Sequence, residues 1–226
     1  MKITYFGHSA FLIELTNNQK LLIDPYLSDN PLTRVDPADL KVDYILLTHG
    51  HGDHIGDTRE IAEKNHAQVI GMVELVNFFG RFGIKGHGLN LGGKFEFPFG
   101  SVKLVPALHS SAYEYEGQLL YMGEAAGMIL EIEGKTIYHA GDTAEFSDMS
   151  LIGENYDIDL AFLPIGDNFT MGPEEAARAA KRVQAKQVVP IHYNTFPVIQ
   201  QDPEAFIQLL PKHVGRVVTP DTSFEF

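Results

Sequence analysis

Apolar residues come in short runs set off by polar ones. ITYF, AFLIEL and KLLID read as three strands, with Thr16, Asn17, Asn18 and Gln19 forming the turn between the last two. A loop rich in Pro and Asp follows over residues 25–41. DYILLT is an unbroken apolar run with polar borders, the pattern of a buried strand. Past it, DTREIAEKNH has helical character, AQVIG predicts a strand, MVELVNFFGRF a second helix, and KFEF and SVKLVPALH return to strands. Residues 110–127, SSAYEYEGQLLYMGEAAG, fit no regular period. That segment holds three tyrosines directly after His109, so it reads either as a pocket wall or lid, or as a packed surface loop.

The second half repeats the plan of the first. GMILEIEGKTIYHAGD predicts strand, Glu-Gly turn and strand, ending at Asp142, and AFLIELTNNQKLLID is built alike and ends at Asp24. DLAFLP and KQVVPIH read as strands, the latter ending in His192, and RVVT as the last strand. Gly172-Pro173-Glu174-Glu175 opens a helix running to about Gln184, with Pro in the first turn and early acids suiting the helix dipole. Asp202-Pro203 caps a further helix. Strands followed by helix–strand alternation, twice over, predict two sheets face to face with helices outside. No linker interrupts the 226 residues, so the expectation is one domain spanning 1–226 with internal pseudo-symmetry.

Composition narrows the chemistry. Apolar residues make up 44%, an ordinary globular share. There is no cysteine, which removes disulfides, thiolate nucleophiles and sulfur ligation of zinc together. MKITYFGHSAFLIEL has no long apolar core or cleavage site, and no run approaches the length of a bilayer span, so a cytoplasmic protein without a membrane partner is expected. The net charge of −13, with no basic run, argues against nucleic acid as a partner. A homo-oligomer is compatible with everything in the sequence and required by nothing in it.

One stretch resists a structural explanation. THGHGDH, residues 48–54, packs His49, His51, Asp53 and His54 into a strand-to-helix turn. Gly50 and Gly52 let the backbone turn sharply and approach a ligand. Neutral imidazole and carboxylate suit Zn²⁺, and also Mn²⁺, Fe²⁺ or Ni²⁺. Four donors in one turn do not fill one tetrahedral site well, which makes two metal ions the natural reading. Further donors lie at strand ends: His109 in PALHS, Asp142 in HAGDT and His192 in PIHYN.

These motifs carry a resemblance. HGHGDH matches the H-x-H-x-D-H signature of the metallo-β-lactamase superfamily, and Asp24, His109, Asp142 and His192 follow in that family's order and context. GHSAFLIE, HAGDT and DNFTMGPEEAA make the chain similar to its small metal-dependent hydrolases, the branch of ascorbate-6-phosphate lactonase. The resemblance covers essentially the whole chain. It implies a four-layer αββα sandwich with the metals at one edge. It further implies that His49, His51 and His109 hold one ion, that Asp53, His54 and His192 hold a second, and that Asp142 bridges them. Asp24 resembles the aspartate that orients ligands by hydrogen bonding. Asp142 stands where many β-lactamases place a Cys ligand, which argues against antibiotic hydrolysis. His51 stands where flavodiiron proteins have Glu, which favours hydrolysis over redox chemistry.

The implied chemistry is attack by hydroxide that the two divalent ions generate at neutral pH. Two such ions, less two carboxylates and one hydroxide, leave the centre at about +1, so anionic substrates stay open despite the acidic surface. Asp53 is the candidate proton shuttle and, with Asp142, the candidate catalytic residue. His8, after the first strand, is a candidate substrate contact. His139 reads as a support or structural residue, His66, His87 and His213 as ordinary, and Asn168, Thr170 and Asn194 as turn residues. The expected function is hydrolysis of a small carboxylic ester, lactone or amide, phosphorylated or not. The alternatives are a phosphodiesterase or nuclease, and a non-catalytic metal-binding protein.

Overall fold

The computed structural model describes all 226 residues. The first half lays down β1 (Lys2–Gly7), β2 (Ala10–Glu14), β3 (Lys20–Ile23), β4 (Tyr44–Leu46), β5 (Gln68–Met72) and β6 (Gly86–Leu89). Helices α1 (Gly52–Ile55), α2 (Thr58–Asn65) and α3 (Val73–Gly80) fall between them. The second half has β7 (Lys94–Phe97), β8 (Gly100–Pro106), a hairpin of β9 (Ala112–Tyr115) and β10 (Gln118–Tyr121), then β11 (Ala126–Ile132), β12 (Lys135–His139), β13 (Leu160–Pro164) and β14 (Gln187–Ile191). It carries α4 (Met149–Asn155), α5 (Pro173–Arg182) and α6 (Pro203–Gln208). The C-terminal strand β15 (Thr222–Glu225) crosses back to pair with β1.

A seven-stranded sheet runs β15-β1-β2-β3-β4-β5-β6, and a six-stranded sheet runs β14-β13-β12-β11-β8-β7. In the first, β2 and β3 pair antiparallel, then β4 and β5 add parallel. In the second, β11 and β12 pair antiparallel, then β13 and β14 add parallel. The repetition anticipated from the two aspartate-terminated hairpins is present in the topology.

Side-chain alternation assigns the layers. Leu160 and Phe162 of β13 join the core between the sheets, whereas Ala161 and Leu163 face the opposite way. The outward set packs under Met149 and Ile152 of α4, Ala176 and Ala179 of α5, and Phe206 of α6. On the other side, Ile61 of α2 and Leu75 and Phe79 of α3 cover the first sheet. Phe11 of β2 and Phe162 meet across the seam with ring centroids 4.0 Å apart. The result is the helix–sheet–sheet–helix order of layers.

Local chemistry fixes the helix ends. In α5, Pro173 fills the first turn and the Glu175 carboxylate accepts from the Gly172 N–H at 3.1 Å. In α6, the Asp202 carboxylate accepts from the N–H groups of Glu204 and Ala205 at 2.9 and 3.2 Å.

The structure departs from the sequence reading at four places, one of them α4 (Met149–Asn155), which the sequence reading left unassigned. RVVT, 216–219, is not a strand: the one isolated bridge, to Val188, falls on Gly215 just before it, only the Arg216 N–H reaches the Val188 carbonyl, and Pro220 brings no donor of its own. The last strand is TSFE, which pairs its Phe224 with Ile3. GHGL, unassigned in the sequence, is β6; at Gly86 a Cβ would stand 2.3 Å from Val76, so the strand reaches α3 only by lacking one. Finally, 110–127 is mostly regular. Glu116 and Gly117, at φ of 51° and 74°, form the tight turn of the β9–β10 hairpin, and β11 begins at Ala126.

A candidate metal centre at the sheet edge

Every candidate donor lies just beyond a strand end, on the same edge of the sandwich. His49 and His51 follow β4, and Asp53 and His54 ride on the single turn of α1. His109 follows β8, Asp142 follows β12, and His192 follows β14. Three site residues hold left-handed backbone: His8 at φ 56°, Asp24 at 43° and His192 at 55°. That conformation is costly for non-glycine residues and clusters at functional sites. Two glycines in the motif have separate roles. A Cβ on Gly50 would lie 2.3 Å from the Met122 Cβ, whereas one on Gly52 would meet nothing within 4 Å. Gly50 is needed for packing, and Gly52 leaves a bare face on an open cavity.

The structure brings seven expected donors together in two sets. His49 Nε2 lies 2.9 Å from His51 Nδ1, which lies 3.3 Å from His109 Nε2. In the other set, Asp53, His54 and His192 cluster with His8. Asp142 spans both: Oδ1 is 3.3 Å from His54 Nε2, and Oδ2 is 2.9 Å from His192 Nε2 and 3.6 Å from His109 Nε2.

Hydrogen bonds fix the tautomers. Asp24 is fully buried. Its Oδ1 accepts from the Thr48 N–H at 2.9 Å, and its Oδ2 accepts from Thr48 Oγ1 at 2.6 Å and from His54 Nδ1 at 2.7 Å. Thr48 Oγ1 in turn accepts from His49 Nδ1 at 3.0 Å. One carboxylate therefore turns the Nε2 lone pairs of both His49 and His54 toward the centre. His51 Nε2 donates to Ser110 Oγ at 3.3 Å, which frees its Nδ1.

His8 is inside the cluster. Burial and the neighbouring His192 push its pKa down to about 4, so the ring is neutral. Its Nε2–H donates to Asp53 Oδ2 at 3.1 Å, and its Nδ1 accepts from Thr195 Oγ1 at 2.6 Å. Thr48, Ser111 and Thr195 were not singled out in the sequence. Isolated hydroxyl residues carry no pattern, and only their partners reveal them. Ser111 accepts from the Gly50 N–H at 3.1 Å. His139 is buried against Ser9 and Gly141, away from the donor sets. Asn194 closes a turn with Ile199 and Gln201, and Thr170 one with Asp167.

The electrostatics suit a cation. Burial opposes charge on His54, but Asp142 and Asp24 outweigh it and hold the imidazole well above its ordinary pKa. Burial likewise opposes charge on His192, and Asp142 raises it to about 9. Asp53 is held below the usual carboxylate range, because His192 and His8 overcome the cost of its burial. His54 Nε2, Asp142 Oδ1 and both ring nitrogens of His192 are buried without a hydrogen bond. His192 Nε2 is near Asp142 but off the angle that a hydrogen bond requires. Such buried orphans are costly unless something else engages them. Nitrogens facing nitrogens and orphaned carboxylate oxygens are the donor set that a borderline divalent ion satisfies.

Beside the donors is an open cavity of about 670 Å³. Gly52 and Asp53 form its inner side, Tyr26, Phe196 and Tyr113 its walls, and Phe169 and Val198 its rim. Tyr113 comes from the β9–β10 hairpin, so that hairpin contributes pocket wall. No helix is long and apolar enough to cross a membrane.

Known proteins agree with this arrangement. The family model described as the beta-lactamase superfamily domain matches residues 19–193. The chain is 56% identical over 226 residues to a UPF0173 metal-dependent hydrolase of Geobacillus thermodenitrificans, covering 100% of both. It is 55% identical over 227 residues to the UPF0173 metal-dependent hydrolase YtkL of Bacillus subtilis, again covering 100% of both. Among solved structures, Igni18, a metallo hydrolase of Ignicoccus hospitalis, superposes with a TM-score of 0.87 at 38% identity, covering 100% of this chain and 98% of that one. With the fold, the H-x-H-x-D-H turn and full-length relatives in agreement, the chain belongs to the beta-lactamase superfamily as a UPF0173-type metal-dependent hydrolase.

Proposed function

We propose that His49, His51 and His109 hold one divalent cation, that Asp53, His54 and His192 hold a second, and that Asp142 bridges them. The pair serves hydrolysis of a small carboxylic ester, lactone or amide. The observation that carries this reading is Asp142, whose oxygens approach His54 and His192 of one set and His109 of the other. Zinc suits this imidazole-rich set, with manganese, iron and nickel as the alternatives that metal analysis distinguishes.

When bound, such ions ionise water at neutral pH and polarise a carbonyl oxygen. The chain's own residues do the rest. Asp24, through Thr48, fixes the rings of His49 and His54 in one tautomer. His8 holds Asp53 Oδ2 by one hydrogen bond. Asp53 is the one donor-set residue that lines the cavity, so its carboxylate is the group placed to pass a proton to a leaving group. No serine or cysteine nucleophile is needed.

Two measurements test the reading. Elemental analysis of the purified protein is expected to give two divalent ions per chain, and His54→Ala or Asp142→Ala to lose at least one. Turnover of nitrophenyl esters and lactones is expected to fall in those variants by roughly 100-fold or more. Unchanged ion content in both variants would overturn the ligand assignment. Turnover of bis-p-nitrophenyl phosphate without any ester or lactone turnover would replace the carboxylic substrate with a phosphodiester.

A further inference from the structure

The cavity beside the centre has a chemistry of its own. Tyr26 and Phe196 stand 6.2 Å apart and both turn toward the His8 ring, at 5.4 and 5.5 Å. Tyr113 is held by the ring of Phe78 at 5.6 Å. These walls are braced before any ligand arrives. At the rim, Phe169 and Val198 leave 53% and 58% of their surface in water. Large apolar side chains exposed around a cavity gain from being covered.

The side-chain charge of the lining is all of one sign. No Lys, Arg or His is among the lining residues, which include Asp29, Asp53 and Asp57. Asp53 belongs to the proposed ion site, which leaves Asp29 and Asp57 as two uncompensated acids in the wall. Asp57 is fixed there: its carboxylate accepts from the N–H groups of Leu27 and Ser28 and from the Ser28 hydroxyl, at 3.0, 2.9 and 2.6 Å. Sites for phosphate or carboxylate groups are built from Arg, Lys or clustered N–H donors, and this wall offers acceptors.

We propose that the substrate is a neutral or cationic molecule with an aromatic or branched apolar group next to the scissile bond, and that the wall discriminates against phosphorylated and carboxylated ones. This rests on the reading of the centre as an ester, lactone or amide hydrolase. Within that reading the apolar group lies between Tyr26, Tyr113 and Phe196 while the carbonyl faces Asp53. Asp29, exposed at the entrance, repels a negative substituent and attracts a positive one.

The metal-loaded protein is tested on three nitrophenyl esters of one shape: phenylacetate, its 4-carboxy derivative and its 4-trimethylammonio derivative. The neutral and cationic esters are expected to exceed the anionic one in kcat/KM by about tenfold or more. Asp29→Lys is expected to narrow that gap severalfold, with Asp29→Asn in between. Phe169→Ala is expected to raise KM for phenylacetate severalfold more than for nitrophenyl acetate. Binding supplies a second readout: by ligand-observed NMR, benzamide and benzyltrimethylammonium are expected to bind more tightly than benzyl phosphate. Equal or faster turnover of the carboxylated ester, or equal or tighter binding of benzyl phosphate, would overturn the proposal. If none of the esters turns over, the hydrolytic reading of esters fails, and the binding series still decides the preference of the wall.

Discussion

Asp24 is not among the residues lining the cavity beside the donors, yet it anchors both Thr48 and His54. It accepts from the Thr48 N–H, from the Thr48 hydroxyl and from His54 Nδ1, all fully buried. Asp24→Ala would strand those donors in a dry interior, at a cost of roughly 3 kcal/mol. It would also free the rings of His49 and His54, and loss of such an orienting partner weakens metal affinity by about 10–100-fold. Denaturant unfolding and competitive titration with a metal chelator check the two effects separately. That these His and Asp side chains would gather was legible in the sequence, because seven of them crowd strand ends and a glycine turn. The place of His8 within the donor cluster was not. Its contacts, Asp53 and Thr195, are 45 and 187 positions away along the chain, and a lone histidine announces neither.

Among elements, periodicity identified what was buried on one face and missed what was exposed or glycine-rich. The strands β11 to β14 were visible because their apolar runs serve both the seam and the helix layer. The β9–β10 hairpin was not, since Glu114, Gln118, Leu119 and Tyr121 face solvent and only Tyr113, Tyr115 and Leu120 find apolar neighbours. Helix α5 is tied to the segment after β12 by Glu145, whose carboxylate accepts from Arg178 and Arg182 at 2.7 and 2.9 Å. Although burial opposes its charge, those two guanidinium groups hold the Glu145 carboxyl below its ordinary value of 4.5. A depressed folded pKa contributes stability that is full above 4.5 and lost as pH falls through the lower, folded value. The pair is partly exposed and screened, so Glu145→Gln should cost only about 1 kcal/mol at pH 7. The difference between variant and parent should shrink progressively as unfolding is measured at pH values further below 4.5.

At the scale of the molecule, the proposed donors are divided between the two sheets. His49, His51, Asp53 and His54 come from the first, whereas His109, Asp142 and His192 come from the second. Ions that bind only when both are in place stabilise the folded state by mass action, by about 2.7 kcal/mol at a hundred times Kd. For a chain of this length, stripping them should lower Tm by roughly 5–10 °C, with recovery on adding back the metal. Calorimetry with and without chelator tests it; an unchanged Tm would show that the donors close without help. The layered architecture was readable from the twice-repeated passage from strands to helix–strand alternation. The return of the chain to the first sheet through β15 was not, because edge pairing depends on a partner more than 200 residues away, Ile3 against Phe224.

The seam has a consequence for how activity is tuned. Phe11 and Phe162 meet in it, far from any solvent, and interiors packed this densely transmit small shifts instead of absorbing them. Trimming either ring would let one layer slide over the other and change the spacing between ligands anchored in each. Variation that resets the rate should therefore accumulate along the buried midline, in side chains that never meet a substrate.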